Sequence, residues 1–377
     1  MQAKSGFFRK IDWPVALFLV FSIFIALIMT PIYFWHFGLE WKIILFAVFY
    51  AGLTNLSITA GYHRLFSHRS YEANNLMKFL FLMIGSSAYQ GSAYKWSVDH
   101  RRHHSKVDQD DDPYSINKGF WYAHMGWLFF KEDHPEIPTS NQDLKKDFWV
   151  KFQHKNYVPL SIFFGFLCPS LIGWALGSFW GGLLIAGLLR IVLTQQSTFF
   201  VNSLSHTLGT RPYADDISAR DSIIVAILTH GEGYHNFHHK FQSDYRNGIK
   251  WYHWDPTKWT IQLLAVLGQA KKLKTISHTE ILRAKLQIEE MKLKSKGFSD
   301  EKILHLKERM LAAENQIKKL NEDYKKLKEE YKRFKTEFSS EEKLKQIKHE
   351  IKLAQIEFKK NLEQWKIYLR HPEPLRV

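Results

Sequence analysis

The sequence predicts an all-α integral membrane protein with four transmembrane helices, a cytoplasmic helical cap that holds a histidine-caged two-metal centre, and a C-terminal coiled-coil tail. Three observations predict this fold class. Four apolar runs are long enough to cross a bilayer, histidines cluster in three short motifs, and a heptad repeat occupies the final part of the 377 residues. We expect residues 1–270 to form the membrane domain and residues 279–370 to form the coiled coil.

The four apolar runs define predicted spans at about residues 13–36, 43–62, 157–178 and 181–204. No charged residue occurs between Trp13 and Phe37, and about 20 apolar residues suffice to cross the roughly 30 Å hydrocarbon core. This first run is too long for a signal peptide and lacks a clear cleavage site, so we expect a retained anchor. Short links near residues 36–41 and 177–180 join the spans into two hairpins.

The even number of spans places the N-terminus, the loop 63–156 and everything after residue 206 on one side. Lys and Arg lie on that side, whereas the opposite loops are nearly uncharged. The positive-inside rule therefore predicts that both termini and the histidine motifs are cytoplasmic, at the inner membrane if the protein is bacterial. The apolar run 80–88 is too short to span and indicates an interfacial or re-entrant segment.

The histidine motifs carry the chemistry. The first pairs His63 with His68, and the other two repeat the pattern His-x-x-His-His at residues 100–104 and 235–239. Helix positions i, i+3 and i+4 project within about 100° of one another, so each repeat aims three imidazoles at one point. His63 and His68 are five residues apart, roughly 140° beyond a full turn. They would reach two separate metals, or one metal if the helix breaks between them.

Eight imidazoles exceed the need of one ordinary metal ion, so we expect two ions in a shared cage. Neutral imidazole suits zinc, copper, iron and nickel, whereas magnesium and calcium prefer oxygen. A structural zinc site is an alternative, but such sites favour four ligands and usually cysteine, and the chain holds only Cys168. With iron, such a centre can activate O₂ and oxidise an unactivated C–H bond, which yields either a double bond or an alcohol.

Taken together, the motifs resemble those of the membrane fatty-acyl-CoA desaturases of the stearoyl-CoA Δ9 type, in particular the bacterial branch. The resemblance covers about residues 12–265 and is carried by His63-Arg-Leu-Phe-Ser-His68, Asp99-His100-Arg-Arg-His103-His104, Gly231-Glu-Gly-Tyr-His235-Asn-Phe-His238-His239, Asp244-Tyr-Arg-Asn-Gly248 and Trp254-Asp-Pro-Thr-Lys-Trp259. It implies O₂-dependent desaturation of a saturated acyl chain by two irons, in unsaturated fatty acid biosynthesis.

The resemblance also assigns roles to single residues. In Asn202-Ser-Leu-Ser-His206, it implies that the histidine is a ninth iron ligand and that the asparagine holds a metal-bound water. The implied iron ligands are His63, His68, His100, His103, His104, His206, His235, His238 and His239, with Asn202 acting through water. It further implies a kinked tunnel for the acyl chain, whose bend would be formed by Gln90, Trp96 and Thr198; ordinary interior packing is their alternative role.

Two departures from the family pattern concern the acyl carrier. The animal enzymes have a basic residue where this chain has Val98, and the step Lys131-Glu132 replaces a doubly basic one. Coenzyme A, acyl-carrier protein and a phospholipid therefore remain open as carriers. No fused cytochrome b5 is visible, so we expect a separate electron donor of the cytochrome b5, ferredoxin or flavoprotein type.

The tail follows a heptad repeat through Leu306, Met310, Ala313, Ile317 and Leu320, which is a coiled-coil signature. Its helices could fold back as a hairpin or pair with another chain, and we expect self-association or partner docking rather than catalysis. Most of the net charge of +15 lies here, since residues 271–377 hold 28 Lys/Arg and 18 Asp/Glu. No nucleic-acid fold signature accompanies this charge, so no nucleic-acid partner is predicted.

Two other functions remain as alternatives at this stage. A di-iron alkane or lipid hydroxylase would use a similar cage, and analysis for alcohol against alkene would separate it from a desaturase. A non-catalytic metal-binding membrane adaptor would instead be satisfied by redox-inert zinc, so metal analysis would identify it.

Overall fold

The computed structural model describes residues 10–131, 141–334 and 338–370, without the side chains of residues 332–334 and 338–340. The chain divides into two compact units. We call Met1–Arg211 with Asp216–Thr275 the membrane unit, and Pro212–Asp215 with Ile276–Val377 the tail unit. The N-terminal residues before Lys10, and Glu132 of the Lys131-Glu132 step, lie outside the described residues.

The described part of the membrane unit is built mainly of helices. In chain order they are α1 (Trp13–Phe37), α2 (Trp41–Ser67), α3 (Asn75–Ser86), α4 (Ala93–Lys106), α5 (Phe120–His124), α6 (Gln142–Lys146), α7 (Phe148–Lys155), α8 (Tyr157–Ala175), α9 (Phe179–His206), α10 (Ile223–Leu228), α11 (His235–Lys240) and α12 (Pro256–Val266). Short 3₁₀ helices occupy Ile116–Lys118 and Gly126–Phe129.

Within the described residues, four helices are long and apolar enough to cross a membrane, namely α1, α2, α8 and α9. The predicted four-span fold class is confirmed. The Asp12 side chain caps α1 by accepting from Val15 N, and Gly38 (φ 70°) ends it. Leu27 and Trp35 are 69% and 86% exposed. Exposed apolar side chains are stable in contact with lipid, and the helix satisfies its own backbone hydrogen bonds, which lipid cannot do.

The second span is longer than its apolar run because its geometry changes. After Leu56 the α-helix widens into a π-helix over Ser57–Ser67, in which hydrogen bonds join residues five apart. His68 N donates to His63 O at 3.0 Å. The five-residue separation of these histidines is therefore one full turn here, and both imidazoles lie on the same side. Shorter π segments also occur in α8 and α9, at Phe163–Leu167 and Gly182–Leu189.

Small residues let α8 and α9 approach closely. A Cβ added to Gly182 would lie 2.3 Å from Pro169 O, and one added to Gly173 would lie 2.4 Å from Gly182 Cα. Close backbone contact through small residues is the usual way that membrane helices pack. This second hairpin is therefore fixed by backbone contact.

Arg190, deep in α9, is buried inside the membrane unit. Its guanidinium donates to Ser87 O at 3.0 Å and to Gly165 O at 3.3 Å, and it lies 4.7 Å above the Tyr50 ring. A charged residue in a membrane span can extend to the interface or pair inside the bundle, and the structure shows Arg190 bonded inside the bundle. A single side chain thereby links α9 with α2, α8 and the segment after α3.

The cap of the membrane unit packs around the end of α2. Its core includes Tyr62, Phe66, Leu82, Leu144 and Ile261, contributed by α2, α3, α6 and α12. A short antiparallel ladder joins β1 (Glu72–Ala73) to β2 (Ala270–Lys271). Lys274 N also donates to Ser70 O at 2.9 Å. The chain is thus tied to the cap up to the last residues of the unit.

The tail unit contains three long helices, α13 (His278–Ser295), α14 (Asp300–Phe334) and α15 (Phe338–Arg370). Arg309 meets Glu357 and Lys348 lies over Tyr324, so α14 and α15 run antiparallel as a hairpin. α13 covers one end of it, where Leu286, Met310 and Trp365 are at most 1% exposed. The hairpin is thus the arrangement that the described tail adopts.

Candidate metal centre

Nine buried or half-buried histidines meet in the cap in two groups. His63, His68, His100, His104 and His238 form one group, and His103, His206, His235 and His239 form the other; within each group the nearest ring nitrogens lie within 4.8 Å of one another. We call these the five-histidine group and the four-histidine group. All nine histidines predicted as ligands are therefore brought together, including His63 and His68 in one group.

The spacing of the ring nitrogens fits bound metal ions. His63 Nε2 lies 3.0 Å from His238 Nε2, and His68 Nε2 lies 2.8 Å from His100 Nε2. In the other group, His235 Nε2 lies 3.0 Å from His239 Nε2. Two imidazoles bound to one metal at about 2.1 Å and at right angles would have their nitrogens about 3 Å apart. The donor set therefore suits a two-metal centre.

Burial keeps these imidazoles in the form that binds metal. It lowers the pKa of six of them well below the usual value near 6.5, and the neighbouring histidines lower it further: His68, His100, His104, His235, His238 and His239. A metal ligand must be a neutral imidazole with a free lone pair. The buried Nε2 of His206 has no hydrogen-bond partner among the described residues, as expected of a lone pair reserved for a metal.

Several Nδ1 atoms face away from the centre towards acceptors. His63 Nδ1 donates to Glu232 at 3.0 Å, and His103 Nδ1 donates to Asp112 at 2.9 Å. His206 Nδ1 lies 2.6 Å from Ser218 Oγ. Although burial favours the neutral acid, His63 and Arg64 hold the pKa of Glu232 down to about 2. Sequence reasoning missed these partners because no fixed helical spacing relates them to the histidines that they contact.

A cavity of about 550 Å³ reaches the histidines, within the roughly 300–1,000 Å³ range of small-molecule sites. Its walls are mostly apolar, and His63, His100, His103 and His235 contribute to the lining. Such a space can hold a long apolar molecule against both histidine groups.

The residues expected at the tunnel bend all line this cavity. Gln90 Nε2 donates to Thr198 Oγ1 at 2.9 Å, which links the segment after α3 to α9. Trp96 stacks on His100, with ring centroids 4.9 Å apart. Asn202 also lines the cavity, one helical turn before His206.

His124, His154 and His230 are three histidines that lie outside the two groups. His124 is bonded to Ser203 and Gln196, each at 2.9 Å. His154 Nδ1 lies 2.6 Å from Ser92 Oγ. His230 has a positive φ of 55° and is absent from both groups. None of the three belongs to either group, and their exclusion from the ligand set stays a prediction.

Comparisons with known proteins bear on this arrangement. The profile of the family described as Fatty acid desaturase matches residues 39–265. Acyl-CoA desaturase 1 of Saccharomyces cerevisiae is 43% identical over 275 residues, which are 71% of this chain and 54% of the yeast protein. The probable acyl-CoA desaturase of Schizosaccharomyces pombe is 43% identical over 66% of this chain and 52% of its own length. Stearoyl-CoA desaturase of Homo sapiens is 36% identical over 63% of this chain and 68% of the human protein.

The fold and the site thus define a class of membrane protein in which two histidine groups lie in a cap at the ends of helices long and apolar enough to cross a membrane. The chain belongs to the fatty acid desaturase family. It spans about half the length of the two yeast relatives that it matches. These relatives are fungal and mammalian, and placement in a bacterial branch stays a prediction.

Proposed function

We propose that this protein is a di-iron desaturase that introduces a double bond into a saturated fatty-acyl chain. The observation that carries the proposal is the convergence of nine imidazoles, four of which line one mostly apolar cavity. The family match adds the reaction class. Imidazole ligands also suit zinc and copper. Iron is proposed because the relatives are named desaturases, and oxidation of an unactivated C–H bond needs a redox-active metal, which zinc is not.

Two irons in this cage would supply, with O₂, the oxidising power to remove hydrogen from an unactivated methylene. The protein supplies position and exclusion of water. Gln90 and Thr198, bonded across the cavity, would hold the acyl chain in a bent form beside the histidines. Trp96, stacked on His100, would press the chain against the centre. Asn202 would hold a water at the four-histidine group, which has one imidazole fewer.

The substrate that we propose is a long saturated acyl thioester of coenzyme A, desaturated at Δ9. The yeast relatives are named acyl-CoA desaturases and the human relative is named stearoyl-CoA desaturase, which supports this carrier. Val98 and the step Lys131-Glu132 stand where the animal enzymes carry more positive charge, so weaker binding of the coenzyme A phosphates is expected. Acyl-carrier protein and phospholipid substrates are the outcomes that would contradict this choice.

The decisive experiment is expression of the full chain in a host that lacks desaturases, followed by lipid mass spectrometry. New monounsaturated chains, with the double bond located at carbon 9, would support the proposal. Hydroxylated chains would indicate the alkane or lipid hydroxylase instead. A protein purified with zinc, and without either product, would indicate the metal-binding adaptor.

We further propose that the cap faces the cytoplasm, where a separate electron donor reduces the irons. Support comes from the placement of both cap segments, 68–156 and 207–275, after an even number of spans, on the Lys/Arg-rich side. A cytochrome b5, ferredoxin or flavoprotein added to the purified enzyme should restore turnover, and each can be supplied separately.

For the tail unit we propose self-association through the end of the hairpin that α13 leaves uncovered. Near α13 the core residues are almost fully buried, whereas Leu320, Tyr324, Leu327 and Ile347 along the same seam are half-buried. Burying apolar surface is worth about 25 cal/mol per Å², so pairing of two hairpins would be favourable. We propose no catalytic role for residues 279–370.

A further inference from the structure

We propose that Glu232, Asp112 and the Ser218–Asp108 pair are positioning residues that orient three of the metal-binding histidines, and that they serve the two histidine groups unequally. The inference rests on the proposed two-metal centre. Each of these residues contacts the Nδ1 atom of a different histidine, and each would thereby fix which ring nitrogen presents a lone pair to a metal.

The physical argument concerns the tautomer of a neutral imidazole. Such a ring has one N–H and one lone pair. An ionised carboxylate only accepts hydrogen bonds, so His63 and His103 must donate from Nδ1 to Glu232 and Asp112. Their lone pairs are then on Nε2, the atom that lies near the neighbouring histidines of its group. Carboxylate partners of this kind orient metal-bound histidines and raise their basicity.

His206 reaches its carboxylate through a hydroxyl. Ser218 Oγ lies 2.6 Å from His206 Nδ1 and also bonds to the Asp108 carboxylate. The Ser218 hydroxyl donates its hydrogen bond to the Asp108 carboxylate. The hydroxyl oxygen can therefore only accept a hydrogen bond from His206, which must donate it from Nδ1–H. Ser218 N also donates to Asp108 at 2.6 Å, which fixes the serine in place.

The distribution of these partners is unequal in number and in charge. Among the described residues, the five-histidine group has one carboxylate contact, and Glu232 is also paired with Arg64 at 2.9 Å. The four-histidine group has a direct carboxylate contact from Asp112 and a second carboxylate, Asp108, that acts through Ser218. The described partners of the Asp108 and Asp112 carboxylates are His103 and Ser218 together with backbone N–H groups. The group with fewer imidazoles thus has the more negative surroundings, which compensates for the missing ligand.

One short loop supplies both acids. Asp112 accepts from Asp108 N at 3.1 Å and from Tyr114 N at 3.2 Å, so the two acids are held in a single turn after α4. Asp108 adopts a positive φ of 63°, an unusual conformation that non-glycine residues keep only when their contacts enforce it. The loop of residues 108–112 therefore supplies carboxylates to the four-histidine group, through Asp112 and Asp108.

The test uses the full chain purified in detergent and loaded with ⁵⁷Fe. Glu232→Gln should lower the affinity for the iron at the five-histidine group by about 10- to 100-fold, measured by competition with a chelator. Asp112→Asn or Ser218→Ala should lower the affinity for the iron at the four-histidine group by a similar factor. Mössbauer spectra should show loss or change of one component in E232Q and of the other component in D112N and S218A. Ser218→Thr retains the hydroxyl and should recover the second iron.

Asp111→Asn is the matched control, because Asp111 is exposed on the same loop and should leave both irons unchanged. Thermal unfolding of the apo proteins separates positioning from folding, since a positioning role predicts altered iron binding with apo stability kept. Variants that retain both iron components at wild-type affinity would overturn the inference. A wild-type protein that binds two irons but forms no alkene would instead contradict the proposed function and leave this inference standing.

Discussion

Individual histidines in this protein are distinguished by what their two ring nitrogens contact. Those of the two groups point one nitrogen at other imidazoles, whereas His124 and His154 bond to hydroxyl and amide groups. Sequence alone could identify most of the first set because three-residue and four-residue spacings have a fixed meaning on a helix. It could not supply Glu232 or Ser218, since no spacing relates them to His63 or His206 across more than ten residues of chain.

Replacement of a single histidine of the five-histidine group tests the proposed ligand set. His238→Ala should abolish desaturation while the protein remains in the membrane, because His238 Nε2 lies 3.0 Å from both His63 Nε2 and His104 Nε2. His154→Ala is the control and should retain most activity. Product analysis and membrane fractionation are the measurements. Near-normal turnover of His238→Ala would show that the ligand assignment is wrong.

Removal of metal should also destabilise the fold. Metal bound only by the native state stabilises it by RT ln(1 + [L]/Kd), or about 4 kcal/mol at a thousandfold excess over Kd. Stripping the protein with a chelator should therefore lower its Tm, and returning Fe²⁺ should restore it. An unchanged Tm in both steps would mean that the histidines hold no metal in the native protein.

At the scale of the elements, the sequence predicts the positions of the helices well. It does not predict changes of helix geometry inside them. An uncharged run of about 20 residues identifies a span by length alone, and all four predicted spans match helices within a few residues at most ends. The π segment of α2 could not be predicted in this way. With the usual 3.6 residues per turn, His63 and His68 would point about 140° apart around the helix axis. Only the structure shows that the period itself changes there.

Packing between α8 and α9 gives a prediction with an internal control. Gly182→Ala should destabilise the protein by about 1–3 kcal/mol, the usual cost of overpacking, because the new Cβ would meet Pro169 O at 2.3 Å. Gly52→Ala in α2 should be nearly neutral, since its Cβ would have no heavy atom within 4 Å. Thermal unfolding in detergent compares them, and equal effects would contradict the close approach of the two helices.

The orientation of the spans can be tested by cysteine labelling from outside the cell, in a Cys168→Ala background. A cysteine at Gly38, between α1 and α2, should be labelled by an impermeant reagent. One at Ser5, outside the described residues, and one at exposed Lys271 should be labelled only after the membrane is opened. The reverse pattern would overturn the proposed cytoplasmic placement of the cap.

At the scale of the whole molecule, the chain divides near residue 275. The membrane unit ends with contacts of its own, since Lys274 bonds to Ser70 and Tyr245. The tail unit has a separate apolar core. A heptad repeat could predict the tail helices, but the cover that α13 gives to one end of the hairpin depends on tertiary packing that periodicity does not encode.

Truncation after Lys274 tests the division of labour between the units. The shortened protein should retain iron and detectable desaturase activity in membranes, because every proposed ligand lies before residue 240. Its oligomeric size, measured by light scattering in detergent, should fall relative to the full chain. Loss of all iron on truncation would show that the tail belongs to the catalytic fold, and an unchanged size would contradict self-association.

The wide turn of α2 makes the length of this segment, and not only its composition, a condition for the metal centre. Deleting one residue between His63 and His68 would let an ordinary α turn bring them together, but it would rotate the preceding span by about 100° relative to the cap. Buried Thr54 and Asn55 would then turn towards lipid, and exposed Val48 and Phe49 would turn inward. A single insertion or deletion at this position must therefore be compensated by a second one within the same helix, whereas a substitution leaves the register of the span unchanged.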